Sequence, residues 1–292
     1  VNMKYKRCFT FGCSFTNFNW PTWADAVGHT LHSQGYEYYN FGLPGAGNDL
    51  IFKTMMRARH EYNITSDDVV IVMWTSWNRE DRYLINDWGD AAWQLQGNVL
   101  NTDFYDQEFI SKYWSMEHDV ITSITAINAA RAIFDINYEA SLAVTESVPE
   151  SISDDPLLIA ITKIQMPNMI PDRPDQTTAL GAMDGHPIIS DTLKYVDQVF
   201  TPVTGIALEQ GTRDWLNEFE QFMVDTLAPL DAIMVHADSE TQQDMWTRAA
   251  DKIFNHHRNY RKQYMMTTDG PELWRGDRIL DYLNGFSTQA LR

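Results

Sequence analysis

Ser14, Asp184 and His186 are the residues of this chain whose types and settings could together carry nucleophilic chemistry. A serine hydroxyl attacks a carbonyl when an imidazole takes its proton, and a carboxylate keeps that imidazole correctly oriented. Ser14 lies in Phe9-Thr-Phe-Gly-Cys-Ser-Phe-Thr16. There Cys8-Phe-Thr-Phe11 has the β-branched and aromatic character of a buried strand, and Gly12 ends it. Trp20-Pro-Thr-Trp-Ala-Asp25 then reads as the opening of a helix. A serine between strand and helix sits at the carboxyl edge of a sheet, where backbone N–H groups can form an oxyanion hole. The same step would equally serve as a tight turn with a capping serine.

Three further stretches could complete such a site. In Met183-Asp-Gly-His-Pro187 a histidine stands just behind an aspartate and is held by glycine and proline, the setting of an oriented general base. The loop Asn40-Phe-Gly-Leu-Pro-Gly-Ala-Gly-Asn48 contains Gly42, Gly45 and Gly47. Its spacing reverses that of a dinucleotide fingerprint, which puts the close glycine pair first. An oxyanion hole asks only for one glycine N–H near the nucleophile, and this loop can supply it. Thr75-Ser-Trp-Asn78 follows a third strand, so Ser76 or Asn78 could be a further donor there, or ordinary loop residues. The eight histidines are scattered, and the adjacent His256 and His257 would point to different faces of a helix. Neither a metal nor a cofactor is expected.

The elements that must position these residues follow from periodicity. Helices are expected at residues 23–34 and 49–62, the latter with Ile51, Met55 and Ala58 on one face. Strands are expected at residues 36–41 and at Val69–Trp74, whose unbroken apolar run suits a strand buried on both faces. Strand, helix, strand, helix, strand with short connections is a doubly wound α/β pattern. Residues 86–118 are rich in tryptophan and tyrosine without a period and read as an insertion. Residues 119–135 form an amphipathic helix with Val120, Ile124, Ile127 and Phe134 in register. Residues 140–144 or 157–161 could be the next strand, and residues 147–156 and 166–174 read as loops. Residues 188–200, 212–227 and 239–257 read as helices.

Composition bounds the function. The chain has 292 residues, enough for one large domain or two small ones, and 44% of them are hydrophobic. A net charge of −18 repels nucleic acid and anionic membranes. No apolar window is long enough to span a bilayer, and Lys4, Lys6 and Arg7 lead into a strand where a signal peptide would have an apolar core. A cytoplasmic location is expected. Cys8 and Cys13, if on one strand, stand roughly 16 Å apart at ~3.3 Å per residue, too far to bridge.

Taken together, four blocks resemble those of the SGNH (GDSL-like) hydrolases and occur in that family's order. They are Phe11-Gly-Cys-Ser14-Phe-Thr, Asn40-x-Gly42-x-x-Gly45, Val69–Trp74 with its loop, and Asp184-Gly-His186-Pro. The wording of the first block, with Trp-Pro-Thr-Trp-Ala-Asp and Trp-Thr-Ser, is similar to divergent members from marine bacteriophages. The resemblance covers about residues 4–200. It implies a three-layer α/β/α sandwich with a mainly parallel, flavodoxin-like sheet over residues 1–204; residues 205–292, beyond where such a domain ends, read as a helical C-terminal extension. It also implies a serine ester hydrolase acting on a small-molecule or glycan ester. Ser14 would attack, His186 take its proton and Asp184 orient the imidazole. The N–H groups of Ser14 and Gly45 would hold the oxyanion, with Ser76 or Asn78 as a third donor.

Two departures keep alternatives open. Trp74-Thr75-Ser76 stands where the family has Gly-x-Asn-Asp, and Asp184-x-His186 is one residue shorter than the usual spacing. The shorter spacing is similar to that of SGNH-like O-acetyltransferases, so acyl transfer to a sugar hydroxyl is one alternative. A non-catalytic structural or virion-associated protein on the same fold is another. The aromatic residues of the extension (Trp215, Phe219, Phe222, Trp246, Phe254) imply that it packs on the core, over the site, or at an oligomer or virion contact.

Overall fold

A computed structural model of the chain describes residues 6–85, 91–94, 99, 105, 107–141, 148–156, 186–233 and 239–266. In chain order the elements are β1 (Lys6–Gly12), α1 (Trp23–Ser33), β2 (Tyr36–Gly42), α2 (Asn48–Tyr62) and β3 (Val69–Trp74). There follow β4 (Arg82–Ile85), β5 (Ala91–Gln94), α3 (Gln107–Tyr113), α4 (Met116–Ile133) and β6 (Tyr138–Ser141). The last are α5 (Ile189–Tyr195), a π-helical turn (Val196–Phe200), α6 (Thr201–Thr204), α7 (Gln210–Ile233) and α8 (Ser239–Arg261).

The protein has an α/β fold built on a mainly parallel four-stranded sheet in the order β2-β1-β3-β6. The order reverses at β1, and in open α/β sheets ligands bind outside the carboxyl ends of strands at such a reversal. Ser14 follows that end of β1. Five consecutive residues of β1 and of β3 are buried; β3 is apolar at each of them, and β1 at all but Thr10. β6 overlaps the first of the two strand candidates and runs parallel to β3, from Ile71↔Tyr138 to Trp74↔Ser141. The other candidate, residues 157–161, lies outside the described residues, as does the expected loop at 166–174.

Two compact units divide the chain: residues 1–9, 14–40 and 169–268, and residues 10–13, 41–168 and 269–292. In the first unit α1 packs against α5 and α7, and α7 against α8. Trp215 of α7 stacks on both His29 of α1 (4.8 Å between ring centres) and Tyr260 of α8 (4.7 Å). Thr212 adds a 2.8 Å hydrogen bond to His29 Nδ1. Gly28 has no room for a side chain, because the Tyr38 ring of β2 lies directly against it. After α8, the Met266 N–H donates to the Tyr38 carbonyl, so the chain returns to the edge of β2.

In the second unit α2 packs on α4 through the faces that periodicity marked. Ile51, Met55 and Ala58 are buried on one, and Val120, Ile124 and Ile127 on the other. The stretch at 86–118, aperiodic in sequence, contributes a strand to a hairpin. β4 and β5 pair antiparallel from Arg82↔Gln94 to Ile85↔Ala91, and α3 follows.

The helix expected at residues 188–200 is not uniform. α5 gives way to the π turn, where the Thr201 N–H bonds the Val196 carbonyl five residues back. Pro202 comes next, without an N–H to continue the α-helical ladder.

Candidate functional site

The loop between β1 and α1 carries Ser14, and its shape is set by three hydrogen bonds to two backbone carbonyls. The Thr16 carbonyl accepts from Asn40 Nδ2 at 2.9 Å and from Thr22 Oγ1 at 2.8 Å. The Pro187 carbonyl accepts from Trp20 Nε1 at 2.7 Å. Pro187 thereby docks against a loop far away in sequence, and His186 comes with it. The His186 ring stacks on Phe18, with ring centres 3.7 Å apart and planes 18° apart. It also meets Phe15 at 5.3 Å, and Phe18 in turn packs edge-on against Trp20. His186 is half-buried, held among aromatic rings of the residues that follow Ser14. Ser14 itself is 6% exposed. Asp184 lies outside the described residues.

The structure therefore brings His186 and Pro187 onto the loop that follows Ser14. Sequence reasoning noted Ser14 and His186 but missed Phe15, Phe18 and Trp20 as the partners of His186 and Pro187, since no local pattern links residues so far apart in the chain. It also missed Asn40 as a brace, although the residue stands in the second block.

α1 begins under the same loop. Thr22 is its N-cap, and the Asp25 carboxylate reaches back to the Thr22 N–H at 2.9 Å, half of a capping box. Asp25 is completely buried and also meets α8. Arg261 donates to it through Nε and Nη2, both at 2.9 Å, and the Tyr264 hydroxyl donates at 3.0 Å. The remaining Arg261 nitrogen, Nη1, donates to Asn17 Oδ1 at 2.6 Å.

Burial works to raise the Asp25 carboxyl, but the Arg261 guanidinium, then His257, hold it well below the usual carboxylate range. Burial, with Arg261 beside it, pushes the His257 imidazole down to about 4, so it is neutral 3.6 Å from Asp25. The adjacent histidines do diverge, since His257 is buried and His256 exposed.

Gly45, Ser76 and Asn78 belong to the second unit. Gly45 has φ +84°, a left-handed conformation that favours glycine. It lies in a turn closed by the Ala46 N–H on the Leu43 carbonyl, and the Leu43 N–H bonds Gly12 O at 2.9 Å. Gly47 is required for a different reason: a side chain there would fall 2.6 Å from Asp81 Oδ2. Asp81 accepts from the Gly47 N–H at 2.8 Å and the Leu50 N–H at 3.1 Å, and so caps the N-terminus of α2 from outside the helix. Arg79 Nη1 bonds the Ala46 carbonyl from the same side.

Asn48 pairs its amide with both the N–H and the carbonyl of Thr75, at 2.8 and 3.1 Å, and reaches Ser123 Oγ at 3.0 Å. These bonds fix the loop after β3. Within it Ser76 is half-buried, and Asn78 Oδ1 is buried with no hydrogen-bond partner among the described residues. An open buried acceptor of this kind is costly unless something occupies it.

Burial pushes the Asp81 carboxyl up to about 7 against the pull of its two amide donors. Burial, then nearby Glu80 and Asp81, take Asp119 to about 7 as well, despite a 2.7 Å hydrogen bond from Trp114. Among the described residues no group of three His, Cys, Asp or Glu side chains is placed to hold a metal. Nor is any described helix long and apolar enough to cross a membrane. Cys8 and Cys13 are both buried free thiols.

No protein-family model, curated protein or solved structure matches the chain.

Proposed function

We propose that the chain is a serine ester hydrolase of the SGNH (GDSL-like) type, with a three-layer α/β/α core and residues 205–292 as a helical extension of it. The observation that carries this reading is the His186–Pro187 segment seated on the loop that follows Ser14. The stack on Phe18 and the bond from Trp20 to Pro187 supply what a base for Ser14 would require, an imidazole immobilised beside the nucleophile's own loop.

In this reading Ser14 Oγ attacks the ester carbonyl and its proton passes to His186. The tetrahedral oxyanion is held by the Ser14 N–H together with further donors. His186 returns the proton to the departing alcohol, leaving an acyl-serine. Water activated by the same imidazole then releases the acid. Asp184 orients the ring throughout. No cofactor is needed, and the substrate is an acyl ester, of which an O-acetylated glycan is one candidate.

The test is reaction with a fluorophosphonate probe together with hydrolysis of p-nitrophenyl acetate, using wild type and Ser14→Ala. Labelling that disappears in Ser14→Ala supports the reading, and an unlabelled wild type overturns it.

A second reading, a non-catalytic protein on the same fold, is favoured by one observation, the 6% exposure of Ser14. An unlabelled wild type would support it. Acyl transfer to a sugar hydroxyl would be told from hydrolysis by products formed with a glycan acceptor present.

A further inference from the structure

We infer that Arg261, at the end of α8, is a positioning residue for Ser14: its guanidinium ties Asn17 to Asp25 and so fixes the loop that carries the nucleophile. The inference rests on the serine-hydrolase reading above and assigns a role in it to the C-terminal helices.

The geometry has three parts. Arg261 grips the Asp25 carboxylate with two parallel bonds at 2.9 Å, through Nε and Nη2. Its third nitrogen, Nη1, holds Asn17 Oδ1 at 2.6 Å. Because the guanidinium is planar and rigid, fixing two of its nitrogens on Asp25 also fixes where the third can meet Asn17. Asn17 is three residues beyond Ser14. Asp25 is itself anchored, since it accepts from the Thr22 N–H and from Thr22 Oγ1 (3.0 Å) at the start of α1. The single Thr22 hydroxyl proton is shared between Asp25 and Thr16 O (2.8 Å), so the loop is held at both Thr16 and Asn17 by groups that converge on Asp25.

A buried ion pair alone would explain a pairing of Arg261 with Asp25. It would not explain why the remaining donor is spent on a half-buried loop residue three positions from the candidate nucleophile. Lysine in place of Arg261 would keep the charge but lose the fork, and could not hold Asp25 twice and Asn17 once. Misplacing a reacting group by about 1 Å can cost ~10²-fold in rate, so a slackened loop is expected to show first in the chemical step.

The experiment compares wild type, Asn17→Ala, Asn17→Asp, Arg261→Lys and Ser14→Ala. It measures fluorophosphonate labelling rate, kcat and KM on p-nitrophenyl acetate, and thermal melting. Asn17→Ala leaves the buried pair intact. It is expected to melt close to wild type while kcat and labelling fall about 10- to 100-fold with little change in KM. Asn17→Asp keeps an acceptor oxygen for Nη1 and should recover most of that loss. Arg261→Lys should show the same loss in kcat as Asn17→Ala. A labelled wild type with Asn17→Ala within twofold of it, at an unchanged melting temperature, overturns the inference and leaves the hydrolase reading standing. Failure of Asn17→Asp to recover activity also overturns it. An unlabelled wild type overturns both.

Discussion

Phe18 and His186 stack with their ring centres 3.7 Å apart, although 168 positions of sequence separate them. The contact turns a histidine on a Gly-Pro-flanked turn into one of defined orientation. Aromatic stacking of this kind contributes about 0.5–1.5 kcal/mol beyond burial. The rest of the docking comes from the Trp20 hydrogen bond to the next residue, Pro187.

Replacing Phe18 by leucine keeps apolar bulk and removes the stacking partner. We expect a stability loss of about 1 kcal/mol and a fall of roughly tenfold in Ser14 labelling, because a ring free to rotate spends less time as a base. Labelling equal to wild type would remove the stack from the working geometry.

Trp20→Phe deletes the donor to Pro187 O and leaves that carbonyl unsatisfied. The expected cost is about 1–3 kcal/mol in urea denaturation. A loss below about 0.5 kcal/mol would mean that another donor replaces it.

His257 is pushed down to about 4 in the folded chain, whereas an unfolded imidazole titrates near 6.5. Between those values the unfolded state binds a proton that the folded state does not. Stability contributed by the neutral ring is therefore full above about pH 6.5 and is lost as pH falls towards 4, by up to about 3 kcal/mol. The difference in unfolding free energy between wild type and His257→Asn, followed from pH 7 to 4, should narrow in wild type's disfavour. A pH-independent difference would contradict the burial argument.

Asp119 works in the opposite direction. Its folded carboxyl titrates at about 7 and an ordinary one near 4, so the folded state holds the extra proton between them. Its favourable contribution is present below about pH 4 and lost as pH rises through 7. Asp119→Asn can still accept from Trp114 and carries no charge, so it should gain stability relative to wild type across that rise. Parallel pH curves for the two proteins would refute this.

Much of the local structure can be read from the chain alone, because it is decided within a few residues. Val69–Trp74 is apolar at every position and becomes β3, buried over five successive residues. The spacing of Val120, Ile124 and Ile127 makes a helix whose apolar face is buried. Thr22 and Asp25 start α1 by a contact across three positions. Gly12 marks the end of β1, and with it the place of Ser14.

Other features depend on partners that no local pattern names. The choice of residues 138–141 as β6 was made by pairing with β3, since Tyr-Glu-Ala-Ser has no apolar run to announce a strand by itself. Asp81 reads as one charge in a polar loop, yet it caps α2 across 34 positions and leaves no space for a side chain at Gly47. Arg261 meets Asp25 across 236 positions, inside a core where only folding removes the water that would otherwise solvate both. Residue types and short-range spacing set out the strands, the helices and the chemistry available to Ser14 and His186. Which side chains hold His186 and the Ser14 loop in place was decided by tertiary packing, because a hydrogen bond or a ring stack between distant residues acquires its energy only once the chain has closed around it.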